Sequence, residues 1–318
     1  MDEITARLGY VGTDLILPLI IGYILYRRRI LSDGAVNLII RINVIGFFTI
    51  LSLFSFWTLP LTRELALLPV FGCLLVLIPG ALSRFWLGRR FHSAIDRGTH
   101  LISAMLSNIG TLCGICAYII YGERGFAYAQ IGGACQNFLL IVLAFPAAQY
   151  YYLLHKNRGR PARLEGRAFL GLFFSWNQLG VLGIAAGLLL NAMNVARPPL
   201  IAEAFSYLIH ISAWFAMLPV GSLINLRRVR RFLPWTWDML LIRFVFVPTA
   251  IFALSYPLIG DPILRNSLLI FASAPGAINA TLAARLYRLN VDYTLAVFLV
   301  TTTLYLVVLF PLIFFLLH

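Results

Sequence analysis

Charge is scarce in this chain. Only 12% of its 318 residues are Asp, Glu, Lys or Arg, about half the roughly 25% of an ordinary soluble domain. Hydrophobic residues make up 61% and the mean hydropathy is +0.88. A water-soluble globular protein is thereby excluded, and the bilayer becomes the solvent. Acids are rarer still, 12 against 25 bases, for a formal charge of +13 and a pI near 10.1. So basic a balance serves nucleic acid only from a solvated basic face. Here the arginines sit in short links between apolar runs, where the positive-inside rule puts them, so nucleic acid is not an expected partner.

Cysteine is equally sparse. Cys73, Cys113, Cys116 and Cys135 all fall in apolar stretches, so no disulfide framework is implied. Cys113-Gly114-Ile115-Cys116 has C-x-x-C spacing, but neither a thioredoxin-like context nor a second ligand pair accompanies it. These thiols read as small buried hydrophobes, with no metal and no cofactor expected. There is no H-E-x-x-H motif and no pair of intramembrane aspartates, and His210 has no nucleophile beside it in sequence. An enzyme is therefore not expected. Nor is a cleavable signal peptide: Met1-Asp2-Glu3 is acidic, and the first apolar run ends in Arg27-Arg28-Arg29.

What the chain does have is membrane-length apolar runs, which need about 20 residues each. Ten are expected, near Leu8–Tyr26, Val36–Trp57, Glu64–Trp86, Leu101–Tyr121, Phe126–Leu153, Leu172–Met193, Leu200–Ile224, Trp235–Leu258, Ser267–Tyr287 and Tyr293–Leu317. Arg41 interrupts the start of the second and Asn177 that of the sixth. The links alternate in charge. Those after odd-numbered runs hold Arg27–Arg29, then Arg89, Arg90 and Arg97, then the bases between Lys156 and Arg167, then Arg227, Arg228, Arg230 and Arg231, then Arg288. The alternate links hold Arg63, Arg124, Arg197 and Arg265, with Glu64, Glu123 and Asp261 among them. This bias puts the odd links in the cytoplasm and both termini outside. The expected fold is an all-α polytopic membrane protein of two five-helix halves, 1–154 and 172–318, joined by a cytoplasmic linker, 155–171. Five is odd, so the second half enters inverted, as an inverted repeat requires.

Two polar interruptions fall at matching places. Ser107 and Ser273, Gly110 and Gly276, and Tyr121 and Tyr287 are all separated by the same 166 residues. The fourth run contains Asn108, Gly110 and Gly114, and the ninth Pro275, Gly276 and Asn279. Helices broken at corresponding positions of two halves point to a secondary transporter's binding site. Glycine and proline would make the breaks, the following half-helices would direct positive ends inward, and Asn108 and Asn279 would bond substrate or bridge the broken backbone. Gln136 and Asn137 in the fifth run are further candidates. Asp14 and Arg243 are charges well inside runs, which default to functional roles. Arg243 is expected to attract an anion or neutralise Asp14, and Asp14 to carry a proton. Arg41, Arg84 and Asp238 are expected near the cytoplasmic boundary and Glu203 near the outer one.

At these residues the chain resembles the auxin efflux carrier family of permeases, which includes plant PIN-FORMED proteins and many bacterial members. The resemblance runs through Gly22-Tyr23 with Arg27-Arg28-Arg29 and Leu31-Ser32, then Ser107-Asn108-Ile109-Gly110 and Tyr121-Gly122-Glu123-Arg124-Gly125-Phe126-Ala127. It continues with Arg243 and Pro248 and ends in Ala272-Ser273-Ala274-Pro275-Gly276-Ala277-Ile278-Asn279. It implies ten spans in two inverted repeats, a scaffold and a transport domain each drawn from both repeats, and broken helices 4 and 9 that cross, a fold similar to sodium/bile acid symporters. It also implies an organic-anion substrate. Cys116 stands near the family's usual fourth-span proline, and Gly46 stands where the second span usually has one. Sodium-coupled relatives place carboxylates near the crossover, and neither the fourth nor the ninth run has an acid. The expected function is thus a permease for a small organic anion at Asn108, Gly110, Asn137, Pro275, Gly276 and Asn279. It works as a uniport or with a proton, by alternating access, in a bacterial inner membrane. A homodimer is compatible with this. The competing expectation is a membrane-embedded anion sensor or scaffold without flux.

Overall fold

The computed structural model describes residues 9–158, 160, 179–222, 224 and 230–317. The N-terminal residues 1–8, most of the expected linker 155–171, the start of the sixth run with Asn177, and Arg227 and Arg228 lie outside the described residues. The described chain is helical, with no strand. In order it forms α1 (11–27), α2 (Asp33–Trp57), α3 (Leu68–Phe85), α4 (Ala94–Met105), α5 (Ile109–Lys156), α6 (Leu179–Ala192), α7 (Pro199–Ser222), α8 (Trp237–Ser255), α9 (Pro262–Ala272), α10 (Ile278–Leu286) and α11 (Val291–Leu317). Short 3₁₀ turns, Arg63–Leu67 and Leu87–Arg90, flank α3.

Six of these stretches are long and apolar enough to cross a membrane, and α6 and α9 are shorter apolar helices. Large side chains such as Leu200, Phe315 and Leu316 stand exposed at 74%, 68% and 71%, as lipid-facing residues do. The protein is an integral membrane protein. The six are counted among the described residues, which leave out the start of the first run and of the sixth. The fourth and ninth runs are each cut in two. The second part of the fourth and all of the fifth are one helix, α5, bent at Gly122, whose φ of 62° lies in the left-handed region that glycine tolerates.

Four prolines shape the helices in one way. Pro18, Pro146, Pro248 and Pro311 each follow a π-helical turn: Val11–Ile16, Leu140–Ala144, Ile242–Phe246 and Tyr305–Leu309. A helical proline gives no N–H to the carbonyl four residues back and presses its ring against it. The residue before each one, Leu17, Phe145, Val247 or Phe310, donates its N–H five residues back instead, to Gly12, Leu140, Ile242 or Tyr305. Asp14 and Arg243 both sit in such widened turns.

The chain forms two compact units. One comprises Met1–Thr62, Gly110–Gln130 and Ser175–Ile224, and the other Arg63–Ile109, Ile131–Phe174 and Asn225–His318. In the first, α1 meets α7 backbone to backbone. A Cβ on Gly22 would run into the Leu218 carbonyl, and one on Gly221 into the Leu19 carbonyl. Small residues permit this approach where no hydrophobic drive brings helices together in lipid. An apolar cluster of Phe48, Leu51, Phe126, Phe205 and Ile209 fills its interior. In the second, Leu101, Met105, Leu106, Leu139 and Ala277 form one cluster, and Ile102, Ile141, Phe145 and Ala283 another.

Candidate functional site

Helix ends leave main-chain groups without partners, and how each end is served separates the outer ends from the inner ones. At α2, α9 and α11 a polar side chain does it: Ser32 accepts from Ala35 N–H, Asp261 from Ile263 N–H, and Asn290 from Tyr293 N–H. Of the two inner ends, where α4 stops at Met105 and α10 starts at Ile278, the start of α10 has no such cap. There the backbone of one interruption serves the other. Ser107 and Gly276 form an isolated antiparallel bridge. Asn108 N–H donates to the Pro275 carbonyl at 2.8 Å, and Ala277 N–H to the Leu106 carbonyl at 3.1 Å.

In this register the N–H groups of Ser107 and Gly276 point away from each other. Each finds a side chain. Ser107 N–H donates to Gln136 Oε1 at 3.0 Å, and Gln136 Nε2 donates back to the Ser107 carbonyl at 2.6 Å. Gly276 N–H donates to Thr301 Oγ1 at 2.9 Å. The carbonyl end of α4 is closed by Arg243, 1% exposed, whose Nη2 donates to Ser103, Ala104 and Leu106 at 3.1, 2.6 and 2.7 Å. A cation suits a helix C-terminus. Irregular backbone at membrane depth survives only where protein satisfies it, and here six residues from the two interruptions, with Gln136, Thr301 and Arg243, do so.

The half-buried amides of Asn137 and Asn279 differ from these. Neither side chain has a hydrogen-bond partner among the described residues. Asn137 follows Gln136, and Asn279 lies in the uncapped first turn of α10. Asn108 is also half-buried, its N–H committed to Pro275. Pro275 and Gly276 are buried, and a Cβ at Gly276 would sit 3.3 Å from Val297 Cγ1. Gly110 belongs to the first unit, where its carbonyl accepts from Gln130 Nε2 at 2.9 Å.

Asp14 and Arg243 each have partners within their own unit. Asp14 is 5% exposed, with Thr13 Oγ1 at 3.1 Å and His210 Nδ1 at 2.5 Å as partners, and the rings of Tyr10 and Tyr118 flank His210. The pair joins α1 to α7. No signal in local spacing connects residues 196 apart, although a histidine and an aspartate both inside apolar runs are each costly there alone.

A second buried network was not anticipated. Ser83 Oγ lies 2.7 Å from His100 Nδ1, His100 Nε2 lies 2.7 Å from Asp238 Oδ2, and Arg90 reaches the same oxygen at 2.8 Å. The connectivity is that of a serine triad, and the carboxylate has two further donors. Oδ2 serves both His100 and Arg90, and Oδ1 takes the Met239 N–H at 2.9 Å. Phe91, Trp235 and Trp237 surround the Arg90 guanidinium. The network joins α3, α4 and the start of α8, and Asp238 is fully buried. Among the described residues no three His, Cys, Asp or Glu side chains gather to hold a metal ion. Neither a protein-family model nor a curated protein matches this chain.

Proposed function

We propose that the protein is a secondary transporter that carries a small organic anion by alternating access, with its site at the paired interruptions of the second unit. The observation that carries this reading is the mutual satisfaction of two helix interruptions beside half-buried amides, Asn137 and Asn279, that have no partner among the described residues. Amides at membrane depth favour a ligand that hydrogen-bonds with them. The uncapped N-terminal turn of α10 favours one that is negative. Pro275 and Gly276 shape the break before α10, and Asn108 adds a further polar group.

Ten spans in two inverted repeats, with broken helices 4 and 9 crossing, form the fold of this reading. Besides the interruptions, it is supported by a second matched feature. The π turn Leu140–Ala144 with Phe145-Pro146 and the π turn Tyr305–Leu309 with Phe310-Pro311 lie 165 residues apart. The resemblance to the auxin efflux carrier family belongs to the same reading, as do a bacterial inner membrane and termini outside the cytoplasm. Transport runs as a uniport or with a proton held at Asp14 and His210. An anion needs no coupling ion for export, since 100 mV supplies about 2.3 kcal/mol per charge.

The test is uptake of labelled malate, malonate and indole-acetate into proteoliposomes under an inside-positive potential. Wild-type protein is expected to take up at least one of them saturably, and Asn279→Ala and Pro275→Ala to lower that uptake at least about tenfold, the effect of about 1.4 kcal/mol. Uptake indifferent to both substitutions would sink the site. Binding without uptake would favour a sensor.

A further inference from the structure

A cavity of about 250 Å³ opens in the second unit, and Ser83, Arg84, Gly88, Arg89, Arg97, Leu101 and Tyr151 line it. We propose that it is a binding site for a phosphate group, presented either by the headgroup of an anionic phospholipid or by a small soluble phosphate. This does not rest on the transport reading.

The positive-inside rule accounts for arginines in this link but not for their arrangement. Arg84 comes from the last turn of α3, Arg89 from the following 3₁₀ turn and Arg97 from the first turn of α4, and all three face one cavity. Among the described residues no carboxylate lies within ion-pair distance of any of them. Their neighbour Arg90, which turns inward, is neutralised by Asp238 at 2.8 Å. The fold thus supplies a counter-ion to the arginine off the cavity and none to the three on it. Like charges held together repel, so the cavity favours a multiply accepting anion. Guanidinium forks match phosphate oxygens.

The site is also built. Arg97 is held in place by its Nε–H, which donates to the Phe91 carbonyl at 2.6 Å. Ser83 is tied to His100, and the turn can close only because position 88 is glycine, since a Cβ there would strike the Ser83 carbonyl. The volume is below the roughly 300–1,000 Å³ of drug-sized pockets and fits a compact group. Phe85 and Trp86, next to Arg84, are 63% and 57% exposed. Aromatic residues of this kind mark the headgroup level of a membrane, and basic pockets between spans take anionic headgroups there.

The experiment titrates purified full-length protein in neutral detergent with phosphatidylglycerol, with phosphatidylcholine and, separately, with inorganic phosphate. Native mass spectrometry follows the lipids and calorimetry the phosphate. Wild type is expected to retain phosphatidylglycerol over phosphatidylcholine, or to bind phosphate saturably. R84Q/R89Q/R97Q is expected to weaken that ligand roughly tenfold or more. R27Q/R28Q/R29Q, which removes the same charge elsewhere, is expected to leave binding within about twofold. Loss in the lipid arm assigns the site to a headgroup, and loss in the phosphate arm alone assigns it to a soluble phosphate. Equal effects of the two triple variants, or none, would overturn the proposal. Should the cavity triple variant fail to fold, R89Q alone, an exposed position, must weaken binding severalfold.

Discussion

Arg243 holds two carbonyls of α4 and that of Leu106 just beyond it with one nitrogen, and that geometry makes it a test of how the interrupted backbone is held. Arg243→Met leaves buried acceptors without a donor, at about 1–3 kcal/mol for each group left unsatisfied, and is expected to lower the melting temperature of the detergent-purified protein sharply. Arg243→Lys keeps the charge and loses the planar fork, so an intermediate melting temperature is expected. Equal stability of all three proteins would remove the capping role. Asp14 and His210 make the corresponding test in the first unit. Each alone is an ionisable group inside a span, so His210→Ala leaves a buried carboxylate without its main partner. A double-mutant cycle with Asp14→Asn is expected to give a coupling of roughly 1–3 kcal/mol. Additive losses would mean that the two side chains stabilise the unit independently.

At the scale of elements, two devices shape the helices: close-packed glycines and prolines that widen a turn. Gly22 and Gly221 let α1 and α7 meet at each other's carbonyls. Gly22→Leu is expected to force the pair apart and cost on the order of 3 kcal/mol, the range of a badly overpacked contact, read as a lower melting temperature, while Gly46→Leu, with open space around it, is expected to be nearly silent. Much of this level was legible in the sequence. The runs at Val36–Trp57 and Tyr293–Leu317 match α2 and α11 within three residues at each end, because apolar length is a one-dimensional signal. The interruptions were legible too, through glycine and proline. Their register was not. The constant offset maps Ser107 onto Ser273 as an equivalent position and says nothing of pairing, whereas the backbone bridges Ser107 to Gly276. The beginning of α4 at Ala94 was also missed. Asp96, Arg97 and His100 lower the apolarity of that turn, and the partners that make His100 tolerable, Ser83 and Asp238, lie 17 and 138 residues away. Thr301 went unnoticed for the same reason: nothing in a run of threonines tells which one faces an orphaned N–H.

At the scale of the whole molecule, each compact unit draws segments from both halves of the sequence, and the polar residues fall into separate groups. The second unit holds the interruptions, the Ser83–His100–Asp238–Arg90 network and the arginine-lined cavity, and the first holds the Asp14–His210 pair. A carrier needs a site whose backbone is held firmly while its ligand-facing groups stay available, and the interruptions have that division: Gln136, Thr301 and Arg243 are committed to main chain, while Asn137 and Asn279 have no partner among the described residues. The most direct test is counterflow in proteoliposomes preloaded with unlabelled malate, malonate or indole-acetate. A carrier working by alternating access is expected to accumulate the labelled anion transiently, with saturation, driven by the unlabelled gradient alone. Flux that never saturates and shows no transient accumulation would contradict alternating access, and saturable binding with no flux would contradict transport.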